Sequence, residues 1–177
     1  MTQRTHSFAM AAFAGLFALL PTLAHAAAPN HEDTKFVKDA AAGGMEEVEL
    51  GKLAVAKASN PDVKSFGQKM VDDHSKANDQ LSQLASQKGI DLKKGDSMMA
   101  KHDSAKLAKL KGAKFDKAYM DMMVKDHKKD VADFEHASKG AKDADIKSWA
   151  ATTLPILQEH WKMAQDLDAK VGGKKSK

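Results

Sequence analysis

The chain has 177 residues, 28 Lys and Arg against 24 Asp and Glu, a net charge of +4, and no cysteine. That length suits one domain with a sizeable core, and the lack of cysteine excludes disulfide support and thiol chemistry. Lysines and acids alternate on the same polar faces and aromatics are only 6%, which argues against a nucleic-acid-binding surface.

Residues 1–26 read as a secretory signal peptide. Arg4 and His6 form a polar start, Phe8 to Leu20 an apolar run, and Ala24-His25-Ala26 a small-x-small cleavage pattern. The run of about 13 residues falls short of the ~20 that span a bilayer. The mature chain is expected to begin at Ala27 in an exported, periplasmic protein without a transmembrane span.

Four long segments of helical periodicity follow, with almost no strand signal. The first, Thr34 to Ala58, aligns Phe36, Ala40, Gly44, Glu47, Gly51, Ala54 and Ala58. Asn60-Pro61 then supplies a cap and a first helical position for the second segment. That segment runs to about Lys88, turns Val63, Phe66, Gly67, Met70, His74, Ala77, Leu81, Leu84 and Ala85 inward, and stops at Gly89. A connection of about 24 residues follows, Gly89 to Ala113, with a short helix predicted at Ser104 to Lys111. It is long enough to run the ~40 Å of a 27-residue helix. The third segment, Lys114 to Lys139, shows Phe115, Tyr119, Met123, His127, Val131 and Phe134 on one face. The fourth starts near Asp143 and shows Ile146, Trp149, Thr153, Leu157, His160, Ala164, Leu167 and Val171, with Pro155 predicted to kink it. His31 is placed ahead of the first helix and His136 on the surface. Residues 172–177 read as a flexible basic tail, a candidate for weak contact with an anionic envelope surface.

Short, long and short connections predict an all-α fold over residues 27–171. The expected form is a four-helix bundle, ferritin-like, with a long crossover between the second and third helices that carries a short extra helix. An up-down-up-down bundle is the alternative.

One phrase occurs twice. Met70-Val71-Asp72-Asp73-His74-Ser75-Lys76 returns as Met123-Val124-Lys125-Asp126-His127-Lys128-Lys129, each copy mid-helix with its His on the apolar face. Glu47, His74, His127 and His160 all interrupt apolar stripes near the middle of their helices. A buried polar group without a partner costs about 1–3 kcal/mol, and a domain has only about 5–15 in hand. Two arrangements satisfy these groups. One is a single transition metal ion (zinc, iron or copper) held by Glu47, His74, His127 and His160, with Asp73, Asp126 and Asp130 as hydrogen-bond partners behind the ligands. A softer ion would add Met70 and Met123, each four residues before a His. The other is a metal-free network of the same groups in a structural or interaction module. No catalytic constellation is visible.

The runs Ala42-Gly43-Gly44-Met45-Glu46-Glu47-Val48-Glu49-Leu50-Gly51-Lys52-Leu53-Ala54, Phe66 to His74, Phe115-Asp116-Lys117-Ala118-Tyr119 and Thr153-Leu154-Pro155 resemble the exported bacterial family called domain of unknown function 4142. The resemblance covers Thr34 to about Leu167 and implies a ferritin-like bundle delivered to the periplasm, with no established activity. Di-iron members of the ferritin-like class carry Glu-x-x-His pairs. Here Val71, Val124 and Leu157 stand three residues before the histidines, so a di-iron centre is not expected.

Overall fold

A computed structural model describes residues 29–92 and 104–172 of the chain. The expected signal peptide and the tail beyond Gly172 lie outside the described residues. Long helices span His31–Lys57 (α1) and Pro61–Gln87 (α2), residues 104–108 are helical (α3), and two more span Ala113–Gly140 (α4) and Ala144–Val171 (α5). No strand occurs among the described residues.

The helix starts follow local chemistry. Asn30, Asn60 and Asp143 accept hydrogen bonds from backbone N–H groups of the first turns of α1, α2 and α5. His31 is the first residue of α1 rather than a residue ahead of it, because Asn30 is the cap. At the end of α2, Gly89 takes φ +66°. The Ile90 N–H then donates to the Ala85 carbonyl at 2.8 Å, and the Ile90 side chain packs into the core. The short helix ends at residue 108 instead of Lys111, with a turn following. Pro155 lies on the exposed face of α5, which runs through it as one helix.

Two buried aspartates set the orientation of the helices. Asp116, in the first turn of α4, accepts hydrogen bonds from the N–H groups of Ser59 and Asn60, each at 2.9 Å, and from the Ser59 hydroxyl. Asp33, in the first turn of α1, accepts from the N–H groups of Lys142 and Asp143 at 3.0 and 2.8 Å. Each aspartate therefore holds the turn of the opposite hairpin. The first contact puts the α1–α2 turn beside the start of α4, and the second puts the α4–α5 turn beside the start of α1. Helices α1 and α4 are consequently antiparallel. The pairs Lys88–Asp143 and Lys170–Asp62 make α2 and α5 antiparallel as well. It follows that α2 and α4 are parallel, and that the end of α2 and the start of α4 lie at opposite ends of the bundle.

Within the first hairpin the backbones touch. A Cβ on Gly51 would lie 2.7 Å from the Gly67 carbonyl oxygen, and one on Gly67 would lie 2.8 Å from the Ala54 Cβ. Both glycines are thus fixed by helix approach. The core divides into an apolar cluster around Leu50, Phe66, Met70, Phe115, Tyr119 and Met123, and two others around Val37 and Leu81 and around Val131 and Leu157. In the first half of α1 the core residues are Val37 and Ala41, while the expected Phe36 and Ala40 are only partly buried. His74, His127 and His160 stand at the level where these clusters meet.

Candidate metal centre

Helical periodicity carries three histidines from three helices to one point. One ring nitrogen from each of His74, His127 and His160 lies within 4.8 Å of the other two. The ring centroids are 5.4 to 5.6 Å apart. Exposure is 6% for His74 and 0% for the other two.

The hydrogen bonds fix the tautomers of two rings. His127 Nδ1 lies 3.0 Å from the Met123 carbonyl oxygen, which can only accept, so Nδ1 carries the proton and Nε2 the lone pair. His160 Nε2 lies 2.8 Å from Asp73 Oδ2 and donates to it, leaving the lone pair on Nδ1. Those lone-pair nitrogens, together with His74 Nε2, have no hydrogen-bond partner. Anchoring one ring nitrogen while the other stays open is how protein histidines are prepared as metal ligands.

Burial keeps these rings neutral. Desolvation, aided by the neighbouring His127 and His160, lowers the His74 pKa to about 3. Desolvation and then His160 lower that of His127 to about 4. Burial also lowers His160, against the opposing pull of Asp73. Burial disfavours the Asp73 carboxylate, but hydrogen bonds from His160 and Lys69 outweigh it and hold Asp73 ionised. Lone pairs are therefore available at neutral pH, with one fixed negative charge behind His160.

Glu47 takes a different position. Its Oε1 is 3.7 Å from His127 Nδ1, the nitrogen turned toward the helix backbone, and it is not among the three grouped donors. Burial, then Asp130, Asp126 and Glu46, push its pKa well above the usual carboxylate range. Asp73, expected as a hydrogen-bond partner behind the ligands, accepts from His160 across the α2–α5 seam. Asp126 and Asp130 face Glu47 across the α1–α4 seam. Met70 and Met123 are fully buried in the apolar cluster with Phe66 and Tyr119. His136 is 71% exposed and meets Glu32 at 3.0 Å.

Two buried carboxylates were not anticipated as core residues, namely Asp33 and Asp116. An aspartate in a first helical turn reads as a favourable charge at the helix dipole, and only the opposite hairpin shows that it is a bridge. Met120, Ala137 and Ala150 are core residues outside the expected stripes.

Three kinds of comparison bear on this chain. No curated protein matches its sequence. Among solved structures, a DUF305 fragment from Deinococcus radiodurans superposes with a TM-score of 0.71 at 11% identity, covering 80% of this chain and 98% of that one. A DUF305 protein from Streptomyces coelicolor gives a TM-score of 0.69 at 15% identity, covering 82% and 97%. At such identities the likeness concerns the fold alone, and it is a likeness to DUF305 helical proteins rather than a link to ferritins. No helix among the described residues is long and apolar enough to cross a membrane. Residues 18–167 match the family model described as domain of unknown function (DUF4142), and the chain belongs to that family.

Proposed function

We propose that this protein is an exported metal-handling bundle that binds one transition metal ion on His74, His127 and His160. Two observations carry the reading: one ring nitrogen from each of the three buried histidines lies within 4.8 Å of the others, and each ring has a buried nitrogen without a hydrogen-bond partner. A closed polar network would pair these atoms with one another or with Glu47. Here the Glu47 Oε2 atom is itself unpartnered. An all-imidazole donor set suits zinc or copper, and iron less well without an added carboxylate. Asp73 offsets part of the positive charge through His160.

The site is enclosed by helix side chains, which favours holding or passing on an ion over turning over a substrate. Export to the periplasm rests on the leader-like residues 1–26, and a role in envelope stress is the physiological form this reading takes. The test is elemental analysis of the mature chain purified without chelators. The expected result is close to one equivalent of one transition metal, lost in the His74→Ala, His127→Ala double variant while helical content persists. Unchanged metal content in that variant overturns the assignment.

A further inference from the structure

An ion bound by three enclosed imidazoles must cross the helix layer, and the two seams between the hairpins are not equivalent. At the α2–α5 seam the Asp73 carboxylate already holds His160, and the Lys69 ammonium sits 3.0 Å from Asp73 and 3.5 Å from Glu159. A cation arriving there meets a fixed positive charge.

The α1–α4 seam is open and acidic. A cavity of about 340 Å³ lies between these helices, lined by Phe36, Ala40 and Phe134 and by Asp130. Asp39 and Asp133 at its rim are paired with Lys35 and Lys129. Asp130 carries no hydrogen bond among the described residues, and its charged neighbours are Lys129 and the acids Asp126, Asp133 and Glu46. His127 lies one turn away from Asp130 on the same helix. Glu47, on the facing helix α1, is not among the residues lining the cavity but feels the charge of its Asp130. It is only 3% exposed, with Oε1 against the His127 ring and Oε2 lacking any partner, and its charged neighbours are Asp130, Asp126 and Glu46. A buried carboxylate oxygen without a donor, beside a ligand ring and within the field of the cavity's Asp130, is placed to meet a cation.

We propose that Asp130 and Glu47 form an outer carboxylate subsite that takes a divalent cation from the α1–α4 cavity and passes it along the His127 ring to the three imidazoles. The proposal rests on the three-imidazole reading above. It assigns Glu47 to the path of the ion and not to its final coordination.

A subsite on the path speeds loading and release together, whereas a ligand changes affinity. The test is stopped-flow mixing of metal-free mature protein with cobalt(II) chloride, followed by ligand-field absorption, with release driven by a chelator. Asp130→Asn and Glu47→Gln are each expected to slow loading and release on the order of ten-fold, with affinity held within about three-fold. Asp166→Asn, an exposed carboxylate on α5, should leave both rates alone. Added salt should slow the wild type more than Asp130→Asn. Wild-type rates in both variants, or a change confined to release, overturn the route while leaving the imidazole site standing. A wild-type protein that takes up no cobalt overturns the site and the route with it.

Discussion

Replacing His74 by Gln in the metal-free protein should change how stability depends on pH, and by a calculable amount. In the folded chain His74 titrates at about 3, against an unfolded value of 6.5, because burial and its two histidine neighbours disfavour the charged ring. A base whose folded pKa is depressed contributes stability above its unfolded pKa and loses it as pH falls toward the folded value. Between pH 7 and pH 5 the unfolded chain takes up a proton on His74 that the folded chain refuses, which costs the wild type about 2 kcal/mol. The raw pH profile does not isolate this loss. Asp130, raised to about 7 in the folded chain, gains native-state protons over the same interval, which opposes it, and Glu47 is raised as well. The difference between wild type and His74→Gln does isolate it, because those groups are common to both proteins. Urea unfolding followed by far-UV circular dichroism, at several pH values with chelator present, measures that difference. It should shrink by about 2 kcal/mol from pH 7 to pH 5 in the sense that the wild type loses its advantage. Two stability curves that run parallel within about 0.5 kcal/mol would refute the claim that His74 is held neutral by the fold.

Other outcomes follow from the same structure. Asp73→Asn removes the charge that orients His160 and should weaken metal affinity by about 10–100-fold with the helix content intact, measured by competition with a chelator. Zinc at about 100 times its Kd should stabilise the wild type by roughly 2.7 kcal/mol and the His74→Ala, His127→Ala variant by nothing, as read by thermal or urea unfolding. Asp116→Ala strands two backbone donors and one hydroxyl and should cost about 3 kcal/mol in urea unfolding. Burial, partly offset by Lys129, raises Asp130 to about 7, so its ionisation costs stability as pH rises through that value. Asp130→Asn should then be more stable than wild type at pH 8, on the order of 1–2 kcal/mol, and should lose that gain near pH 5.

The histidine level was legible because it needs only the helical period. His74, His127 and His160 each replace an apolar residue in a stripe whose other members are unambiguous, such as Met70 and Leu81 or Met123 and Val131. Glu47 was legible as a buried group but not as a neighbour of the Nδ1 side of His127. Position along a helix can be counted, whereas the direction of a four-bond side chain is set by the opposing helix. The first half of α1 misled for a related reason. Ala40-Ala41-Ala42-Gly43-Gly44 offers no size contrast, so the stripe through Phe36 and the one through Val37 read almost equally well. Asp73 illustrates the remaining gap. Its sequence neighbour is His74, yet its hydrogen bond goes to His160, eighty-seven residues away, because residues adjacent in a helix point in different directions.

The crossed aspartates have a consequence for how the chain gains its structure. Neither hairpin contains the acceptor for the N–H groups at its own turn: Ser59 and Asn60 wait for Asp116, and Lys142 and Asp143 wait for Asp33. A hairpin formed alone would leave those donors to water and its own aspartate without its protein donors. The two halves are therefore mutually dependent, and intermediates with one half formed are disfavoured. The backbone amides of Ser59, Asn60, Lys142 and Asp143, though they sit in turns, should exchange hydrogen only when the whole molecule opens, at the same slow rate as the amides of the helix interiors.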